Sequence, residues 1–312
     1  MLPKMRFVWA LAFGLFAGGF ASAHQSVGQV FVFGDSLSDT GNAAIISGQN
    51  LPSPFFENRQ SNGPVLVDVL ADDFELVLSP SFAGGTNYAV AGARAGGVTI
   101  ADLGFQVQSF ISHYPEGAPE DGLYVLMIGG NDVRDARDEM SLIAAQAIIN
   151  GAVEGIGNAV RALLTHGVKK LVVINAPDIG SVPETHLIAA QVGDWIVAAA
   201  TAKTLKFNSQ LYWQIVQIQW QEHARIKQFN LFHEFREVLE EADEYGLENV
   251  TDACFNPYVF PFEYRPDCDF EKFAFFDVVH PTAKVHAVLG RELARFVKKP
   301  VRYRRHFASY QH

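Results

Sequence analysis

The chain has 312 residues, with 34 acidic against 24 basic side chains, a formal charge of −10, 49% hydrophobic residues and two cysteines. That acidic balance argues against nucleic acid and against anionic membrane surfaces as partners. The length is enough for one large domain or two small ones.

The chain opens with Lys4 and Arg6, an apolar run from Phe7 to Phe20, and the small residues Ala21-Ser22-Ala23. This pattern predicts a signal peptide over residues 1–23, cut after Ala23, and hence export to the periplasm or beyond the cell. The run is shorter than the roughly 20 residues of a spanning helix, and no later stretch is long and apolar enough to span.

Gln29 to Phe33 is a β-branched and aromatic run that reads as a buried strand, and Gly34-Asp35-Ser36 follows it. Ser36 is therefore either the start of a turn or a nucleophile at a strand end. Residues 47–64 and 79–97 are rich in Gly, Pro, Ser and Asn and read as loops. Phe74 to Leu78 is a candidate strand between them. Gly92, in "GGTNYAVAGARAGG", either serves tight backbone packing or offers an N–H that no side chain would shield.

Leu123 to Ile128 reads as another strand. Asn131 follows it in "IGGND", either as ordinary turn chemistry or as an amide donor to a developing negative charge. Ile149, Val153, Ile156, Val160, Leu163 and Leu164 repeat at helical spacing and predict a helix over Ser141 to His166. A strand at Leu171 to Ile174, a helix over Asp194 to His223, a weaker strand at Lys227 to Phe232 and a helix over Phe232 to Tyr245 come next. Strands alternating with helices predict a parallel sheet covered on both faces, with ligands bound beyond the strands' carboxyl ends. Ser36 and Asn131 belong at that edge.

Asn249 to Phe276 is the most irregular stretch. It carries Cys254 and Cys268, an even pair that predicts one disulfide in an exported protein. Closing a loop of about 15 residues stabilises a fold by roughly 3 kcal/mol in the chain-entropy model. Two such cysteines do not make a metal site by themselves. Phe255, Tyr258, Phe260, Phe262, Tyr264, Phe270, Phe273, Phe275 and Phe276 crowd the same stretch. They either pack inward or line a substrate pocket and touch lipid.

Asp277 and His280 follow, three apart, in "FFDVVHPT", before a helix predicted over Thr282 to Lys298. Capping by Asp277 with Pro281 at the helix start is one reading. A general base steadied by a carboxylate is the other. The chain closes on a basic tail, residues 299–312, that reads as a solvated end.

The four blocks, in this order, resemble the SGNH, or GDSL, hydrolase family: "FVFGDSLSDTGN", "GGTNYAVAGA", "IGGND" and "FFDVVHPT". "NRQSNGPVLVDVLA" and "NAPDIGSVP" are similar to two further family segments; Gln60 departs from the aromatic that relatives often carry. The resemblance implies a flavodoxin-like three-layer α/β/α fold with a five-stranded parallel sheet, in a single domain over residues 24–312. It implies Ser36 as nucleophile, with His280 as base and Asp277 orienting it. The oxyanion hole falls to Ser36, Gly92 and Asn131, Asp35 is structural, and neither metal nor cofactor is called for. No Gly-x-Ser-x-Gly elbow of the α/β-hydrolases occurs in the chain. The activity implied is hydrolysis of carboxylic esters. The alternatives are a phospholipase or lipid acyltransferase in transient contact with membrane lipid, and a catalytically silent lipid- or glycan-binding module. The sequence leaves the oligomeric state open.

Overall fold

The computed structural model describes residues 27–257 and 262–300. The signal segment 1–23, nearly all of the basic tail, and Tyr258 and Phe260 lie outside the described residues. Four strands, β1 (Gln29–Gly34), β2 (Gly122–Met127), β3 (Leu171–Ile174) and β4 (Ile226–Phe229), form one parallel sheet in that order.

Each strand is a short run of large apolar residues because both faces are covered. Side chains alternate across the pleat. Phe31, Phe33, Tyr124, Leu126, Leu171 and Val173 face one core cluster. Val30, Val32, Leu123, Val125, Val172 and Ile174 face the other.

Nine α-helices lie among the described residues: α1 (Asn42–Ser47), α2 (Leu66–Asp72), α3 (Leu103–His113), α4 (Gly130–Asp138), α5 (Leu142–Thr165), α6 (Pro183–Val192), α7 (Trp195–Gln221), α8 (Leu231–Glu240) and α9 (Ala283–Lys298). Helices α3, α5 and α7 supply Phe110, Ile156, Leu163, Phe207 and Ile215 to the first face. Helices α2, α8 and α9 supply Leu66, Leu70, Phe235, Leu289 and Leu293 to the second. Burial of each such side chain stabilises the fold by roughly 1.5–3 kcal/mol. The helix read over Ser141 to His166 is α5, and Ser141 caps it by accepting from the Ala144 N–H at 3.3 Å.

Three expectations are corrected. Among the described residues the regular sheet has four strands rather than five. Phe74 to Leu78 forms no strand; the edge beside β1 is taken by residues 86–90, which exchange backbone bonds with Val32 and Gly34 but form only an isolated bridge at Asn87. The carboxamides of Asn42 and Asn87 bind this segment's backbone and hold it irregular. The last helix begins at Ala283, and Pro281 instead bridges to Phe275.

The described residues of the irregular stretch make four short strands: β5 (Asn249–Ala253), β6 (Phe255–Asn256), β7 (Glu263–Tyr264) and β8 (Phe273–Phe275). Cys254 and Cys268 are joined by a disulfide, with Cα atoms 4.8 Å apart. Phe255, Phe273, Phe275 and Phe276 pack inward. Phe55, Phe255, Phe262 and Phe276 meet edge to face, a favourable geometry for aromatic rings.

Candidate active site

The carboxyl end of β1 is fixed before Ser36 begins. Gln106 of α3 accepts from the Gly34 N–H and donates to the Gly34 carbonyl, both at 2.8 Å. A Cβ at Gly34 would run into the Met127 carbonyl, so only glycine lets the strands close there. The chain then turns, with the Asp35 carbonyl accepting from the Ser38 and Asp39 N–H groups at 3.0 Å each.

Ser36 sits at this turn, 9% exposed. Its Oγ lies 2.9 Å from His280 Nε2. His280 Nδ1 faces Asp277 at 2.8 Å from Oδ2 and 3.0 Å from Oδ1. The Asp277 carboxylate also accepts from the backbone N–H groups of Val279 at 2.8 Å and His280 at 2.7 Å. Asp277 therefore caps its own short loop, not the following helix, and the same loop presents His280. A carboxylate at Nδ1 favours the tautomer with its proton there, leaving Nε2 free to accept from Ser36 Oγ.

Asp35 lies beside this row, 3% exposed, accepting from the Leu37 N–H at 3.1 Å. Burial pushes its carboxyl up to about 7, against the opposing pull of the Leu37 N–H and of His280.

Asn131 stands in the first turn of α4, which follows β2 after Gly129, whose φ is +121°. Its Nδ2 donates to the Ala93 carbonyl at 3.0 Å and its Oδ1 accepts from Arg134 Nη1 at 3.1 Å. Asp132 holds the same loop, accepting from the N–H groups of Ala95 at 2.9 Å and Gly96 at 3.1 Å. Gly92 is exposed, with φ +83°, and a Cβ built on it meets no atom within 4 Å. Tight packing is therefore not the reason for this glycine; its left-handed backbone is.

Residues without a part in the sequence reading join these blocks. The Asp39 carboxylate accepts from the N–H groups of Gly41, Asn42 and Ala43 and from Ala91, at 2.7, 2.7, 3.0 and 2.8 Å. Asn87 donates to the Ser38 carbonyl at 2.6 Å. The loop carrying Gly92 is thus tied to the turn carrying Ser36. Both residues lie inside the quoted blocks, but nothing in their spacing tells a buried clamp from a turn residue.

Ser36, Asn131, Arg134 and His280 line one cavity with Ile179, Val182, Leu231, Phe235 and Leu289. The cavity wall is mostly apolar. None of the described aromatics from 255–276 is in that wall. A hydroxyl against a carboxylate-backed imidazole is equipped to attack a carbonyl, and Asn131 brings an amide into the same cavity.

The family described as GDSL-like Lipase/Acylhydrolase matches residues 30–293. The chain is 25% identical to a phosphatidylcholine-sterol acyltransferase of Aeromonas hydrophila, over 92% of this chain and 95% of that one. It is 26% identical to a thermolabile hemolysin of Vibrio parahaemolyticus, over 90% of this chain and 66% of that one. Against lipase 1 of Photorhabdus luminescens the identity is 33%, over 58% of this chain but 27% of that longer relative.

Proposed function

The chain belongs to the GDSL-like lipase/acylhydrolase family, and from that premise we propose that it is an exported serine hydrolase of carboxylic esters with Ser36 as nucleophile. The observation that carries this reading is the unbroken row Ser36 Oγ, His280 Nε2, His280 Nδ1 and Asp277, each step within 3.0 Å. His280 takes the Ser36 proton as Oγ attacks the ester carbonyl. Asp277 steadies the imidazolium that forms. The tetrahedral oxyanion rests on the N–H groups of Ser36 and Gly92 and on the Asn131 amide. His280 then protonates the departing alcohol, and water repeats the cycle on the acyl-enzyme. No step draws on a metal or cofactor.

The disulfide fits an oxidising compartment. Together with the signal pattern it supports export, with residues 24–312 forming one hydrolase domain. A second reading is transfer of the acyl group to an alcohol other than water, on membrane lipid. Similarity along nearly the full length of the Aeromonas acyltransferase favours it.

Labelling with a fluorophosphonate probe tests the core of the proposal. The wild-type protein should be labelled at Ser36, and Ser36→Ala should take up none. An unlabelled wild-type protein would leave only a silent binding module. A panel of acetyl to palmitoyl esters of glycerol, choline, sugars and phospholipids, run with and without an acceptor alcohol, separates hydrolase from acyltransferase.

A further inference from the structure

Arg134 lies in the wall of the cavity, one helical turn after Asn131. Its Nη1 donates to Asn131 Oδ1 at 3.1 Å. The rest of the guanidinium grips Glu184 of α6 in a bidentate pair, Nε to Oε2 at 2.9 Å and Nη2 to Oε1 at 2.6 Å. The buried Arg137 reaches the same carboxylate at 2.9 Å. Burial alone would raise the Glu184 carboxyl, but the two guanidiniums outweigh it and hold its pKa below the usual range. The backbone N–H of Glu184 in turn donates to the Val278 carbonyl at 2.7 Å, inside the loop that presents His280.

A carboxamide has two orientations related by a half-turn. At Asn131 one of them is excluded twice. Turned over, its oxygen would face the Ala93 carbonyl, acceptor against acceptor. Its NH₂ would face the Arg134 guanidinium, donor against donor. The orientation that remains uses one Nδ2 hydrogen on Ala93 and leaves the other for a substrate oxygen. A guanidinium on the amide oxygen also draws electron density from nitrogen to oxygen, which makes the remaining N–H a stronger donor.

We infer that Arg134, braced by Glu184, is a positioning residue that fixes and polarises the Asn131 amide for the oxyanion. This rests on the reading of Asn131 as an oxyanion donor. Arg134 acts through Asn131, so its effect belongs to the transition state. It vanishes when Asn131 is gone.

The test is a double-mutant cycle on the full exported chain with a soluble ester. Arg134→Met keeps the apolar stem and should lower kcat roughly tenfold with KM little changed. Arg134→Lys, which keeps a positive donor, should restore part of the loss. In an Asn131→Ala background, Arg134→Met should change kcat by less than about twofold. Equal factors in both backgrounds would overturn the inference while leaving Asn131 as a donor. An Asn131→Ala enzyme with wild-type kcat would instead overturn the donor reading, and the inference with it. If Arg134→Met does not fold, Arg134→Lys carries the same cycle.

Discussion

Ser36 Oγ and His280 Nε2 meet at 2.9 Å across 244 positions of sequence. The contact is set from both sides. Ser36 hangs from a strand end that Gln106 clamps. His280 sits in a loop closed by the Phe276 N–H on the His280 carbonyl at 2.8 Å and by the Asp277 carboxylate. Ser61 Oγ donates to the Pro281 carbonyl at 3.0 Å, and Asn62 accepts from the Ala283 N–H at 2.9 Å. These bonds fasten the loop to the segment that leads into α2.

In the proposed mechanism, proton transfer between the two residues is one event. Ser36→Ala and His280→Ala should therefore each lower kcat by several orders of magnitude. The double variant should be little worse than either. Steady-state kinetics on the three proteins decides it, since independent roles would give losses that multiply.

The disulfide should be measurable in protein purified without reductant. Thiol titration of the folded, unreduced chain should find no free thiol. Cys254→Ser with Cys268→Ser should lower stability by roughly 3 kcal/mol, seen as a fall of several degrees in Tm. The Cys254 N–H donates to the Phe275 carbonyl at 3.1 Å, two residues from Asp277. Loosening the bridge should thus also lower activity before global unfolding, read as a loss of kcat below Tm.

Much of the fold was legible because its signals are local. The runs at β1, β2 and β3 are short, apolar and buried on both faces, and α5 repeats its apolar residues over six turns. The edge beside β1 was not legible. "TNYAV" lies within a loop-like composition, and its place is set by Asn42 and Asn87 carboxamides rather than by strand periodicity. Helix α4 was hidden by "GGNDVRDARD", polar because its charged residues make specific pairs: Arg134 and Arg137 with Glu184, Asp132 with backbone. At the site, the sequence pointed to Ser36, Asp277 and His280 as separate short motifs, and the structure brings the three side chains together. The residues that brace the neighbouring backbone and Asn131, namely Asp39, Gln106 and Arg134, have partners far off in sequence, or a role visible only once a side chain's orientation is known.

Gly92 offers a test of backbone geometry. At φ +83° an alanine costs roughly 1–2 kcal/mol, while asparagine is tolerated better in that region. No atom lies within 4 Å of the added Cβ, so overpacking adds nothing. Gly92→Ala should fold, be less stable than Gly92→Asn in denaturant titration, and lose kcat as its N–H swings away. Equal stability of both variants with the wild type would refute a backbone reason for the glycine.

Two buried groups tie stability to pH in opposite senses. His286 of α9 is 1% exposed; its Nδ1 accepts from the Leu66 N–H at 3.2 Å and its Nε2 has no hydrogen-bond partner among the described residues. Burial, and then the neighbouring His280, depress its pKa from 6.5 to about 3. The unfolded chain binds this proton below about 6.5 and the folded one only near 3, so the stability from neutral His286 is full above 6.5 and is lost as pH falls towards 3. Asp35 works in the opposite sense. Its carboxyl, pushed by burial from 3.8 to about 7, contributes stability below 3.8 that is lost as pH rises through 7. Between about 4 and 6.5 the two slopes oppose, each at most about 1.4 kcal/mol per pH unit. The wild-type curve therefore hides both, and difference curves expose them. Relative to wild type, His286→Phe should gain stability as pH falls from 6.5 to 4. Asp35→Asn should gain stability as pH rises over the same window. Chemical denaturation at half-unit pH steps measures both. Parallel curves for His286→Phe and wild type would mean that the folded chain protonates His286 as readily as the unfolded one.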